Sequence, residues 1–191
     1  MIEGCFKILH SVSLSPGLAL LDGRKLFSSP GSANFLSDLY HHLRAEYPKF
    51  FKMDVLCKTG FLAAEILLEA EKAERFVMRN DRAVLLCNAS SSITTDRKFI
   101  EGIANIDDFY PQPSLFVYTL PNIVTGEIAI RNKFSGETSL YVIEKRDDGI
   151  LSSLIERAFT DDETLSAVAG WVDASSDSEY EAELFLINKH L

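Results

Sequence analysis

The sequence predicts an α/β fold over residues 1–191: a five-stranded mixed sheet, mostly parallel with the last strand antiparallel, carrying helices on both faces. Three observations predict it. Arg82 to Ala89 is a short continuous apolar run with polar ends, the mark of a strand buried on both sides. Strand-like runs alternate with stretches whose apolar residues repeat at helical spacing, which implies parallel strands joined by helical crossovers. The last two runs, Leu165 to Val172 and Ala182 to Ile187, are separated by a short acidic turn, Ser175 to Glu181, which suits an antiparallel return.

In chain order, Phe6 to Leu14 and Leu18 to Leu21 flank Ser15-Pro16-Gly17, which is turn chemistry, so a strand-turn-strand opens the fold. Ser28 to Ser32 is a loop. Ser32 or Asn34 caps a helix in which Phe35, Leu36, Leu39, Leu43 and Tyr47 share a face, and Pro48 ends it. Asp54 caps a second, longer and central helix with Val55, Leu56, Leu62, Ala63, Ile66, Leu67 and Ala70 on its apolar stripe and a charged end from Glu69 to Arg75. After the 82–89 strand, Ser90 to Thr95 is a hydroxyl-rich loop. A short helix over 96–106 and the proline-bearing loop 110–113 follow. Ile123, Val124, Ile128 and Ile130 give a helix packed closely at Gly126, Leu140 to Ile143 a strand, and Ile150, Leu151, Leu154, Ile155, Ala158 and Phe159 a helix closed by Asp161-Asp162.

Composition limits the function classes. Of the residues, 47% are apolar and 25% charged, ordinary for a globular chain, and the 191 residues suit one domain with a real core. No run approaches the roughly 18–20 apolar residues of a membrane span. The N-terminus has no basic stretch leading into an apolar block, so the cytoplasm is the expected location. With 28 acidic against 19 basic residues, the net charge of −9 disfavours a polyphosphate backbone, and nucleic acid is not an expected partner. Cys5, Cys57 and Cys87 are widely spaced with no CxxC or Cys/His cluster, and read as reduced thiols. His41 and His42 are adjacent on a helix and point apart, and His10 and His190 are isolated, so no metal site is expected. There is no Gly-rich phosphate loop, GxSxG elbow or paired acids at catalytic spacing, and no cofactor is expected.

The segment Leu120-Pro121-Asn122-Ile123-Val124-Thr125-Gly126-Glu127, continuing through Arg131 to Lys133-Phe134-Ser135-Gly136, resembles the β-ketoacyl-acyl-carrier-protein synthases, thiolase-like enzymes. In that family a Pro-Asn helix leads to a glycine, which begins the strand delivering the nucleophilic cysteine. Lys52-Met53-Asp54 with Lys58 to Glu65 resembles the family's first long helix, and Ala83 to Ser92 its strand entering a Ser-rich loop. Ala169-Gly170-Trp171 resembles its Ala-Gly-Gly strand end, with Trp171 in place of the second glycine. The ungapped distance from Gly136 to Ala169-Gly170 equals the family's.

The resemblance implies the N-terminal half of a thiolase-like fold. Nine residues past Gly136, where the family has cysteine, stands Lys145, between Glu144 and Arg146. A condensing cysteine sits at a helix N-terminus because free amides and the helix dipole stabilise its thiolate and the later oxyanion. Lysine has no thiol to acylate, and its charge there is unfavourable by a few tenths to about 1 kcal/mol. Asp147 and Asp148 are placed to cap the helix and offset that cost. No catalytic residue is therefore assigned. The family's remaining catalytic groups come from the C-terminal half, to which none of the four histidines corresponds.

The expected function is a non-catalytic ketosynthase-like subunit or accessory protein of fatty-acid or polyketide-type acyl-chain biosynthesis. The alternatives are a chain contributing to an active 3-oxoacyl-acyl-carrier-protein synthase with a partner, and a structural or regulatory interaction protein. The expected partner is a second copy or a complete ketosynthase, met through Leu140 to Ile143, which would cover an apolar face left by the missing half. An acyl-carrier protein is a further candidate partner, with Lys49, Lys52, Lys58, Arg131 and Lys133 as the basic residues that an acidic carrier would meet.

Overall fold

The computed structural model describes residues 6–105, 107 and 109–190; Cys5 and Ile106, named above, lie outside them. One sheet organises the chain. It has seven strands in the order β3-β2-β1-β7-β6-β4-β5: β1 Phe6–Ser15, β2 Leu18–Leu21, β3 Arg24–Ser28, β4 Arg82–Asn88, β5 Thr138–Val142, β6 Ser166–Ala174 and β7 Tyr180–Lys189. β4 runs parallel to β5 and β6, while β6-β7, β7-β1, β1-β2 and β2-β3 are antiparallel.

This corrects the five-stranded, mostly parallel expectation. The N-terminal segment supplies three strands, because Asp22-Gly23 turns the chain again after Leu21. Asp22 and Gly23 have φ of 51° and 72°, the left-handed pair that a tight two-residue hairpin requires. The Asp22 carboxylate fastens the turn by accepting hydrogen bonds from the Ser11 N–H at 2.8 Å and from His10 Nδ1 at 2.8 Å.

The helices are α1 Phe35–His42, α2 Val55–Ala70, α3 Ile93–Glu101, α4 Pro113–Phe116, α5 Ile123–Asn132 and α6 Asp148–Ala158, with 3₁₀ turns at Pro48–Lys52 and Val117–Thr119. Asp54 caps α2, accepting from the Cys57 N–H at 2.8 Å. Thirteen of the sixteen α2 residues are buried, so this helix is enclosed between the sheet and its neighbouring helices. α1 is shorter than its pattern suggested, and Tyr47 lies beyond it, stacked on Phe61 at 5.3 Å. α3 begins within the hydroxyl-rich loop and stops at Gly102.

The sheet has an apolar core on each face. Val84, Leu86, Val168, Leu184 and Leu186 meet α1, α2 and α5 on one side. Leu85, Cys87, Ala169, Phe185 and Ile187 meet Leu151, Ile155 and Ala158 of α6 on the other. All seven β4 residues are buried, which explains the unbroken apolar run that announced it.

The glycines divide sharply. A methyl on Gly126 would meet nothing within 4 Å, so the close packing expected there is absent. Gly60 on α2 takes that role, since a Cβ there would lie 2.5 Å from Val124 of α5. At Gly170 in β6, φ is 157° and a Cβ would fall 2.1 Å from the Glu183 carbonyl oxygen and 2.8 Å from Leu184 Cα. Gly170→Ala is therefore expected to cost about 3 kcal/mol by overpacking against backbone, whereas Gly126→Ala should add about 0.5–1 kcal/mol through helix propensity. Urea unfolding midpoints of the two variants test the contrast.

Candidate functional site

In open α/β sheets, ligands and reactive groups gather at the carboxyl ends of parallel strands. Here those ends are Asn88 of β4, Val142 of β5 and Ala174 of β6. From β5 the chain bends through residues 143–147 into α6, and the bend is tied to β4 where the Ile143 N–H donates to the Asn88 carbonyl at 2.8 Å. Asp147 caps the helix by accepting from the N–H groups of Gly149 at 2.9 Å and Ile150 at 3.0 Å. The acceptor foreseen in the sequence thus takes up the first amides of the helix. Lys145 lies in the bend, exposed, two residues before the cap.

Beneath the bend the space is filled. Arg146 forms an ion pair with Glu183 of β7 and a longer one with Asp148 at 3.3 Å. The buried Trp171 indole N–H donates to Glu181 at 2.8 Å. Between Cys87, Arg146, Leu151, Trp171, Glu183 and Phe185 about 10 Å³ remains, roughly enough for one water. An acyl chain does not fit. Trp171, singled out in the sequence, lines this space with its indole held by Glu181.

The thiols are equally unsuited to acylation. Cys87 is buried, and desolvation pushes its pKa up to about 11. Burial, reinforced by the charge of Asp54, pushes Cys57 well above the usual thiol range. A thiolate is the nucleophilic form of cysteine, and neither residue supplies it near neutral pH.

On the α2 side, the hydroxyl-rich loop is structural. Thr95 donates to Asp54 at 2.7 Å, Thr94 to the Ala174 carbonyl at 3.0 Å and Ser92 to the Thr119 carbonyl at 2.8 Å. Asp173 of β6, which sequence reasoning passed over, accepts from the Ser90 N–H at 2.8 Å and the Ser90 hydroxyl at 2.9 Å. These bonds lash the loop after β4 to β6.

The basic residues singled out earlier do not act as one patch. Lys49 is ion-paired with the buried Glu127, which also accepts from the Tyr47 hydroxyl at 3.0 Å. Arg131 lies 3.5 Å from the buried Glu65, donates to the Glu46 carbonyl at 3.0 Å, and covers the Tyr47 and Phe76 rings. Both serve an internal network. Lys52 and Lys133 are exposed, and Lys58 is half-buried over Phe50. His41 faces Phe51 and His42 stacks on Phe27, so the pair diverges as foreseen. Among the described residues no group of three or more His, Cys, Asp or Glu side chains is placed to hold a metal, and no helix is long and apolar enough to cross a membrane.

The outward side of α6 presents Gly149, Ser153, Glu156 and Arg157, with Ile150 exposed among them. The large uncovered apolar face expected of a half-fold is not found there. Exposed apolar side chains concentrate instead in the segment around α3 and α4: Ile100, Phe109, Tyr110, Phe116, Val117 and Leu120 are 44 to 68% exposed. Phe99 and Phe116 touch at 5.5 Å, and the Tyr110 N–H donates to the Gly102 carbonyl at 3.0 Å, so the segment folds on itself. β5 forms one edge of the sheet, with Val142 54% exposed at its end.

No family model and no curated protein matches the chain. Solved structures do. A chain of the ishigamide ketosynthase/chain length factor superposes with a TM-score of 0.69 at 15% identity, over 97% of this chain and 62% of that one. A chain of the ketosynthase ApeO in complex with its chain length factor ApeC, from Xenorhabdus doucetiae, superposes with a TM-score of 0.62 at 10% identity, over 98% of this chain and 80% of that one. The chain thus spans less than two thirds of the first neighbour, and at these identities the likeness is one of fold. That fold is the ketosynthase/chain-length-factor one.

If the bend before α6 is structural, Lys145→Ala should change stability by no more than about 0.5 kcal/mol, while Asp147→Ala should cost about 1 kcal/mol as a lost helix cap. In the native protein at pH 8, Cys57 and Cys87 should resist alkylation and react once urea unfolds the chain, as peptide mass mapping would reveal.

Proposed function

We propose that this chain is a non-catalytic, ketosynthase-like subunit of acyl-chain or polyketide-type biosynthesis that pairs with a condensing ketosynthase. The observation that carries the proposal is the site below Lys145. The fold around it resembles that of ketosynthases, yet no thiol stands at the helix start, and Trp171 with the Arg146–Glu183 pair fills the space under the bend. The neighbours named above support the reading, because both are described as ketosynthases together with a chain length factor.

The surface supports pairing. A sheet edge ending in the exposed Val142 offers unpaired backbone groups to an added strand, and the apolar side chains around α3 and α4 need cover. We assign Lys145 no chemical role, and the location is taken to be the cytoplasm.

Co-expression with a complete ketosynthase, followed by sedimentation and a condensation assay, tests the proposal. The expected result is a stable complex that Val142→Lys weakens at least tenfold, with condensation untouched by Lys145→Ala. Condensation abolished by Lys145→Ala would overturn the non-catalytic assignment. Failure of the wild-type chain to associate would overturn the pairing.

A further inference from the structure

The segment that joins α2 to β4, residues 71–81, carries no helix and a single β-bridge, Arg79 with Phe134, and none of its residues is buried. Its apolar side chains do little to hold it down, for Phe76, Val77 and Met78 are 39, 36 and 81% exposed. Polar and aromatic contacts hold it instead. At one end Glu71 accepts from both terminal nitrogens of the buried Arg82, at 2.7 and 2.5 Å. At the other, the Arg79 N–H donates to the Lys133 carbonyl at 3.0 Å, and the Ser135 N–H donates to the Arg79 carbonyl at 2.8 Å. In the middle, Arg75 donates to Glu65 of α2 at 2.6 Å and to Asn132 of α5 at 2.8 Å.

Closure is costly in backbone conformation and in hydrogen bonding. Lys72 and Phe76 have φ of 55° and 63°, and the left-handed region is unfavourable for a bulky side chain. The Nε atoms of Arg75 and Arg131 are buried without an acceptor among the described residues. One carboxylate offsets these costs. Glu65 is buried, with Arg75 at 2.6 Å and Arg131 at 3.5 Å, while the Phe76 ring lies 4.7 Å from the first guanidinium and 4.4 Å from the second. Opening the segment would take away the nearer of the two cations, and a buried carboxylate that loses its partner is strongly unfavourable.

Opposed terms of this kind, with little apolar burial beside them, make a local unit that opens apart from the rest of the fold. Its far end meets the chain that enters β5. A Cβ on Gly136 would lie 2.5 Å from the Arg82 carbonyl oxygen and 2.9 Å from that of Asn80, and the Glu137 carbonyl accepts from the Val84 N–H at 2.8 Å. The run from Arg79 to Arg82 therefore sets the path of residues 133–137 into β5.

We propose that residues 72–78 are a strap, closed through Glu65 and opening as a unit, whose closure holds the entry into β5 in place. Its bearing on partner pairing rests on the reading of β5 as the pairing edge; the strap itself does not. Amide exchange followed by NMR on the isolated chain tests it without a partner. Exchange at residues 73–79 and at Ser135 should quicken at least tenfold in Glu65→Gln, with β6 and β7 unchanged. The same is expected of Phe76→Gly, which accepts the left-handed backbone but lacks the ring. Should Glu65→Gln fold poorly, Arg75→Met, on the strap itself, carries the test with the same expected result. Slower exchange in Phe76→Gly would mean that backbone strain outweighs the ring contacts, and would overturn the fastening. Unchanged exchange, or equal quickening throughout the sheet, would overturn the strap as a unit. Quickening at 73–79 without Ser135 would overturn the link to β5.

Discussion

The carboxyl end of the sheet depends on how closely β7 approaches β6 at Gly170. With the Glu183 carbonyl 2.1 Å from where a Cβ would stand, no other residue fits without moving one strand. That approach sets Glu181 and Glu183 on β7 within reach of Trp171 and Arg146, and so closes the space under the bend before α6. Three residues past Gly170, Asp173 turns to the other neighbour and gathers the loop after β4. One close contact between strands thereby orders both sides of the sheet end where chemistry would be expected.

The space under the bend before α6 has the contents of a protein interior. At the helix start, where a thiolate would need free amides, Asp147 has taken the amides of Gly149 and Ile150. Under the bend, an indole and an ion pair fill the volume. Lys145 is left outside this arrangement, exposed in the bend. Its position explains how lysine is accommodated: its charge stays in water and meets no buried dipole. The outward side of α6 presents serine, glutamate and arginine to solvent.

Elements with a strong local signature were legible in the sequence. β4 announced itself as an unbroken apolar run because both its faces are buried, and Asp54 marked the start of α2 because a cap is a local bond. The third strand was missed because nothing was assigned between Leu21 and the loop at Ser28, although Asp22-Gly23 is itself a strong hairpin signal. Strand order was not legible, since β7 inserting between β1 and β6 is decided by long-range packing and not by any residue nearby. Close approach at Gly126 was misplaced by one helix: Gly60 and Gly126 both sit on helices that meet, and only the distance to Val124 separates them. At the site, the capping role of Asp147 was legible, but the closure by Trp171, Arg146 and Glu183 was not, because those side chains come from β6, the bend before α6 and β7.

The claim at the centre of this account is the proposal that this chain forms no covalent acyl intermediate. Intact-mass and peptide-mass analysis of the native chain, after incubation with an acyl thioester at neutral pH, measures this directly. The account predicts no stoichiometric acyl adduct on Lys145, Cys57 or Cys87. A single acyl group transferred in stoichiometric amount to any of these three residues, and lost on unfolding the chain before incubation, would contradict it.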